Sequence, residues 1–273
     1  MHTIRYVGLI ALACACSNSN NNGNDGGPGD SSTGDTAAST YTQTGTIIDY
    51  DNQSGVYDAI VTATYAGGSA SATTDDKGAY TLSVPQNTPY SMSVQAGADA
   101  GKAYIGLNEQ EWKLTGNADR GKTSFVSAST QGLLESLLTP KPDQTLAVLS
   151  VQVIATGSCT SATGAMISVP GLPAADAGAG DGGSAPVLIY FGGSPALPDP
   201  NATSVTDGLL PSAIIYNLPI TASYNGVTVT PPTGCSVKSF PVTDPTTATI
   251  DYTGNVQLTA ASSAVSFMRV FLD

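Results

Sequence analysis

The chain has almost no histidine. Its single one, His2, stands in the first five residues, in a stretch expected to be removed on export. A mature chain without imidazole has no Ser-His-Asp or Cys-His nucleophile, no His-ligated zinc and no histidine general base. Charge is scarce as well: charged residues make up 11% of the 273, against roughly 25% in ordinary soluble domains. Cations are scarcer still. Nine Lys and Arg face 21 Asp and Glu, a net charge of −12, which disfavours nucleic acid and anionic lipid surfaces as partners. The acidic residues are scattered through loops, so they read as a solubility feature. No EF-hand, P-loop or dinucleotide fingerprint occurs, and no cofactor is implied. No apolar run reaches the ~20 residues that a spanning helix needs.

What the N-terminus does have is a positive start and a short apolar run, residues 6–15, as a secretory signal requires. The Ala-x-Ala-Cys pattern that closes it resembles a bacterial lipobox, in which the signal is cut before a Cys that becomes acylated. Cys16 is the expected lipidation site and Cys14 the alternative. Cleavage before Cys16 gives the longer apolar run and leaves an even number of unlipidated cysteines. An ordinary signal peptide without lipid is the plainer reading. The resemblance implies a cell-envelope lipoprotein, of the outer membrane, touching the membrane through its lipid. Residues 16–40 carry no apolar residue larger than Ala or Pro after the cysteine. They cannot bury a core and are expected to be a disordered tether.

Residues 73–96 (TTDDKGAYTLSVPQNTPYSMSVQA) organise the folded part. Asp75-Asp76-Lys77-Gly78 reads as a turn. Tyr80, Leu82 and Val84 then alternate with polar residues, as a half-buried strand requires. Pro85 to Pro89 break the run, and Tyr90, Met92 and Val94 mark a second strand. Two earlier strands, residues 44–50 and 59–65, are separated by a polar turn. Over residues 42–100 this order is similar to the carboxypeptidase regulatory-like domain, a prealbumin-like (transthyretin-like) β-sandwich. In that family the Thr-Asp-x-x-Gly-x-Tyr segment is a folding motif, here Asp75, Gly78 and Tyr80. The resemblance implies a non-catalytic module whose Gly takes a positive φ and whose Tyr enters the core.

The fold class is therefore expected to be all-β: two tandem Ig-like or prealbumin-like antiparallel β-sandwich modules joined by a short helix, after a disordered tether. The boundaries are 1–15 signal, 16–40 tether, 41–127 first module, 128–142 helix and linker, 143–273 second module. In the linker, Ser129 reads as a helix cap, with Leu133, Leu134, Leu137 and Leu138 on one face packed as a plug between the modules. Residues 146–155, 187–191, 213–218 and 220–224 read as strands, and 256–260 and 264–272 as closing strands. The Ala/Gly/Asp insert 174–185 reads as a loop, and 203–208 stands where the first module has its turn. Cys159 and Cys235, in an exported chain, read as one disulfide.

Few residues invite chemistry. Asp75 with Asp76, and Glu109 with Glu111, are the nearest carboxylate pairs, and the Asp75/Asp76 turn offers oxygen ligands that suit calcium. Asp119 and Arg120 read as a loop-stabilising pair within residues 116–121. Trp112 reads as a core aromatic, or as a sugar-stacking platform with Tyr57, Tyr65 and Tyr104. No catalytic, cofactor or metal residue is assigned. The functional expectation is a non-catalytic surface lipoprotein binding an extracellular protein or glycan, or serving as a spacer. The alternative is a carbohydrate-binding module or an accessory part of a carboxylate-based glycan hydrolase.

Overall fold

Alternation along the strands decides which side chains share a core. The computed structural model describes residues 39–169, 185–192, 197–206 and 212–273. Cys14, Cys16, most of the tether, the insert 174–184 and part of the 203–208 turn lie outside them. The first half of the chain forms β1 (Thr40–Asp49), β2 (Ala59–Tyr65), β3 (Gly68–Thr73), β4 (Ala79–Pro85), β5 (Tyr90–Ala96), β6 (Gly106–Glu109), β7 (Trp112–Leu114) and β8 (Ala118–Phe125). Helix α1 (Ala128–Ser136) follows. The second half forms β9 (Ala147–Ala155), β10 (Met166–Ser168), β11 (Val187–Gly192), β12 (Leu197–Asp199), β13 (Ala213–Leu218), β14 (Thr221–Tyr224) and β15 (Thr228–Thr230). Four strands complete it: β16 (Val242–Thr243), β17 (Ile250–Tyr252), β18 (Val256–Leu258) and β19 (Ala264–Leu272).

The fold is an all-β sandwich. In the first half, a three-stranded sheet ordered β4-β1-β8 supplies one layer. Its inward residues Ile47, Tyr80, Leu82 and Val84 meet Val61, Tyr90, Met92 and Trp112 of the facing strands in one core. Fully burying an apolar side chain of this size is worth about 1.5–3 kcal/mol. The turn expected at residues 75–78 is there, closed by its own hydrogen bonds. Asp75 Oδ1 accepts from the backbone N–H of Lys77 and Ala79 at 2.9 and 2.8 Å, and Gly78 N–H donates to Asp75 O at 3.0 Å. Gly78 has φ +77°, and a Cβ there would fall on Ile47 O. Tyr80 is buried against Gly45. Its hydroxyl accepts from Gln43 Nε2 at 2.9 Å, while Tyr90 donates to Gln43 Oε1 at 2.7 Å.

The second half has its own core around Leu149, Val151, Ile215, Met268 and Leu272. The disulfide Cys159–Cys235 forms there, with a Cα–Cα distance of 5.0 Å. The two halves are not joined only by a linker. One sheet runs β12-β11-β13-β9-β19-β6-β5-β7-β17-β16, with β2 paired to β5 and β3 to β2. The expected closing strand β19 lies in its middle, parallel both to β6 of the first half and to β9 of the second. The pairing is thus mixed rather than purely antiparallel, and β1 with β8 is also parallel.

Three local expectations need correction. Residues 116–121 are not a loop, because β8 begins at Ala118. Ser127, not Ser129, caps α1, and its Oγ accepts from Thr130 N–H at 3.2 Å. Nor does the helix plug a gap with four leucines. It ends before Leu138, which packs beside Val148, Ile189 and Tyr216, while Leu133 and Leu137 are exposed.

Candidate functional site

A strand shows alternate residues to opposite faces, so the registers of the central sheet define one continuous surface. Phe267 sits beside Glu109 and Ser150, Val265 beside Leu107, Arg269 beside Gln152, and Ser150 beside Ile214. These residues floor a cleft of about 250 Å³. The end of β8, with Lys122 and Phe125, forms one wall, and α1 with Leu134 and Glu135 forms another. The floor is apolar through Leu107, Val265 and Phe267 and becomes polar towards Glu109, Arg269 and Gln152.

The polar end is a buried charge cluster. Arg120 of β8 points inward and donates to Glu109 Oε2, and both side chains are almost wholly enclosed, at 2% and 3% exposure. Its guanidinium also lies 4.4 Å from the centre of the Trp112 ring and donates to the Tyr252 hydroxyl at 2.5 Å. Arg269 donates to the same hydroxyl at 2.5 Å and to Gln152 Oε1 at 3.3 Å. Tyr252 in turn donates to Asp244 Oδ2 at 3.4 Å. Burial works against the Arg120 charge, but Glu109, Tyr252 and Tyr80 more than offset it, so its pKa stands above the ordinary arginine value. For Asp244, burial raises the pKa, while bonds from Thr246 and the two guanidiniums bring it below the usual value. The cluster thus holds two cations and two anions.

No protein-family model matches the chain. No curated protein matches it. Ten chains among solved structures are similar to it. The Bacillus anthracis TIE protein is similar at 12% identity and a TM-score of 0.25, over 85% of this chain and 34% of that one. The chain therefore spans about a third of that protein's length. The shaft pilin SpaA from Lactobacillus rhamnosus GG is similar at 12% identity and a TM-score of 0.24, over 86% and 97%. The CBM26 module from Eubacterium rectale Amy13K, solved with maltoheptaose, is similar at 12% identity and 0.19, over 84% and 93%.

The residues singled out from sequence scatter. Asp75 spends its carboxylate on the turn's backbone, Asp76 is exposed, and among the described residues no group of three acidic, His or Cys side chains could hold a metal. Glu109 and Glu111 do not act as strand neighbours, because β6 ends at Glu109. Asp119 and Arg120 do not pair: strand alternation turns Asp119 to solvent and Arg120 into the core. Trp112 has no exposed surface, Tyr104 is stacked on Phe125 at 4.7 Å and donates to Asp49 at 2.7 Å, and Tyr65 is half-buried. Of the four aromatics Tyr57 is the most exposed, at 53%, while Tyr65 and Tyr104 are half-buried. Of the residues that do converge, Glu109 and Arg120 were each considered with a different partner, and Tyr252 and Arg269 carried no functional expectation. A signal existed for Arg269, a cation in the apolar run AVSFMRVFL of a chain with only Arg5 and Arg120 besides. Such an arginine needs a buried partner.

Proposed function

We propose that this chain is a non-catalytic, lipid-anchored β-sandwich protein of the cell envelope whose folded part binds a ligand in the cleft between α1, β8 and the central sheet. The cleft carries the reading. It is concave, largely apolar and ends in a few convergent polar groups, the usual build of a ligand site. Its enclosed carboxylate, Glu109, is tied to Arg120, which suits holding a ligand better than carrying protons. The anchor rests on the lipobox-like sequence at Cys16, with Cys14 the alternative, and on the polar stretch that follows. Among the described residues no helix is long and apolar enough to cross a membrane. The resemblance of residues 42–100 to the carboxypeptidase regulatory-like domain supports a non-catalytic role. A glycan or a protein remains the partner class expected at the outer surface, though a sugar platform built on Trp112 and Tyr104 is disfavoured by their burial and bonding. A second reading, a structural spacer, is favoured by β19, which is paired to strands of both halves.

Two measurements test this. Cys16→Ser is expected to release the protein from the membrane fraction and Cys14→Ser to leave it attached. Release by Cys14→Ser alone would move the anchor. Thermal shifts of the full chain against a panel of glycans and small apolar compounds are expected to find stabilising ligands. Val265→Trp, which puts an indole into the cleft, is expected to abolish the shift while its far-ultraviolet circular dichroism stays native. Equal shifts in both proteins would place binding elsewhere.

A further inference from the structure

The inner end of the cleft is not satisfied by the protein itself. Glu109 Oε2 is held by Arg120, but Glu109 Oε1 is buried without a hydrogen-bond partner. Gln110 Nε2, Trp112 Nε1 and Arg120 Nε are in the same condition. Four of the seven such atoms among the described residues therefore belong to Glu109 and its near neighbours in sequence and space. Buried polar atoms nearly always have a partner, and each that lacks one calls for an explanation, a bound group among them. Glu109 is the member of this group that also lines the cleft, on the face it shares with Leu107, Phe267 and Arg269.

The charges around it narrow the chemistry. Glu109 and Asp244 are matched by Arg120 and Arg269 about the Tyr252 hydroxyl. At the mouth, Lys122 and Glu135 stand on opposite walls. An ionic head of either sign would leave an unmatched charge in an enclosed, mostly apolar space, which is strongly unfavourable. A hydroxyl is different. It can donate to Glu109 Oε1 and accept from a guanidinium N–H, and Arg269 binds Gln152 and Tyr252 through only part of its donor set. Size narrows it further. An engineered cavity of about 150 Å³ holds benzene, so a cleft of about 250 Å³ suits a body nearer two fused rings.

We propose that the cleft takes a small neutral amphiphile, an apolar body of about two-ring size bearing one hydroxyl, with that hydroxyl seated on Glu109 Oε1. This rests on the reading of the cleft as the binding site and names its ligand class.

The test is calorimetric titration of the full chain with four probes of one shape: 2-naphthol, naphthalene, 2-naphthoate and 2-naphthylmethylammonium. 2-Naphthol is expected to bind at least tenfold more tightly than each of the others. Val265→Trp is expected to weaken it at least tenfold, and Glu109→Gln to erase most of its advantage over naphthalene. Should Glu109→Gln fail to fold, the four-probe ranking and Val265→Trp decide. Naphthalene equal to 2-naphthol would remove the role of Glu109. A preference for naphthoate or for the ammonium would overturn the neutral head. Absence of all four overturns the ligand class. Stabilisation by other compounds that Val265→Trp abolishes would leave the cleft a binding site, and its absence too would end that reading as well.

Discussion

The Glu109–Arg120 pair makes a demanding prediction because both members are enclosed, at 3% and 2% side-chain exposure. Removing one partner of a buried pair costs about 3–5 kcal/mol, since the survivor is left as an unmatched charge. The two removals are not equal here. Glu109→Gln leaves Arg120 with the Tyr252 hydroxyl, the Trp112 ring and the nearby Asp244 carboxylate, so its cost belongs at the low end, about 3 kcal/mol. Arg120→Met keeps an apolar stem of similar length over Trp112 but strands Glu109, which has no other hydrogen-bond partner among the described residues. Its cost belongs at the high end, about 5 kcal/mol. With a urea m-value of about 2 kcal/mol/M, these are midpoint shifts of about 1.5 and 2.5 M.

The double variant Glu109→Gln/Arg120→Met removes both charges at once. Tyr252 keeps Arg269 and Asp244 as partners, so the double variant is expected to lie within about 2 kcal/mol of the wild type. The coupling from the double-mutant cycle is then several kcal/mol. Urea melts of the four proteins, followed by tryptophan fluorescence, read it directly, since Trp112 sits under Arg120. If the double variant loses the sum of the two single costs, the charges are not coupled. If Arg120→Met alone costs under about 1 kcal/mol, the site is solvated. Either result would also undermine the ligand chemistry assigned to the cleft.

The turn of residues 75–78 predicts an order of damage. Gly78→Val forces a β-branched residue to φ +77° and onto Ile47 O, a cost of at least about 3 kcal/mol. Tyr80→Ala empties a buried site and removes one of the partners of Gln43, about 3–5 kcal/mol, while exposed Lys77→Ala should change stability by under about 0.5 kcal/mol. Chemical denaturation ranks the three, and a dominant Lys77→Ala would make the turn a binding site. Cys159 and Cys235 should resist alkylation until reduced, and reduction should lower the melting temperature, because the bridge spans 76 residues and a loop of that size is worth about 4 kcal/mol in the entropic account. Alkylation of both thiols without reductant would refute the pairing. Burial, aided by the Glu109 charge, pushes the Tyr80 hydroxyl up to about 12. An acid with a raised folded pKa stabilises fully below its unfolded value near 10 and loses that contribution as pH rises through 12. Alkaline titration should therefore show no Tyr80 phenolate near pH 10 in the native protein, its ionisation being displaced to about 12, and reversible ionisation near 10 in a native Tyr80→Phe difference spectrum would contradict it.

How much of this could be read in advance varies with the range of the interactions. Strands β4 and β5 were legible because Tyr80, Leu82, Val84 and Tyr90, Met92, Val94 alternate over short local runs, and all six are buried. The turn between Asp75 and Gly78 was legible because its hydrogen bonds close within four residues. Strands β6 to β8 were not. The first two are short and interrupted by the polar run NEQE, and they have remote partners: Trp112 lies beside Tyr252, and Gly106 beside Ala264. The pattern GNADRG carries turn chemistry, and only its pairing with β1, across a register shift between Thr44 and Thr46, makes it a strand. The helix cap moved two residues for a similarly local reason, since Ser127 and Ser129 both offer a hydroxyl and only Ser127 reaches Thr130 N–H. The candidate site was the least legible part. Its floor is written in four strands from both halves of the chain, β6, β9, β13 and β19, and no short window of sequence contains it.

The cleft lies where it does because of β19. One face of that strand presents Val265, Phe267, Arg269 and Phe271 in succession. Val265 and Phe267 lie beside β6, whose pairing with β19 stops at Glu109, and both line the cleft. Two residues on, Phe271 is in the core of the first half, 5.6 Å from the Tyr252 ring. Arg269 stands at the border, where the face passes from cleft to closed core. A cation is tolerated there because Tyr252 and Gln152 receive it, and because Glu109, at the last paired position of β6, faces the same border. The opposite face of β19 packs Met268, Val270 and Leu272 into the core of the second half. A slip of one residue in β19 would exchange these two faces, placing Arg269 in the second core and Met268 at the border. The two cores therefore fix the register of β19, and that register in turn sets the polar end of the cleft.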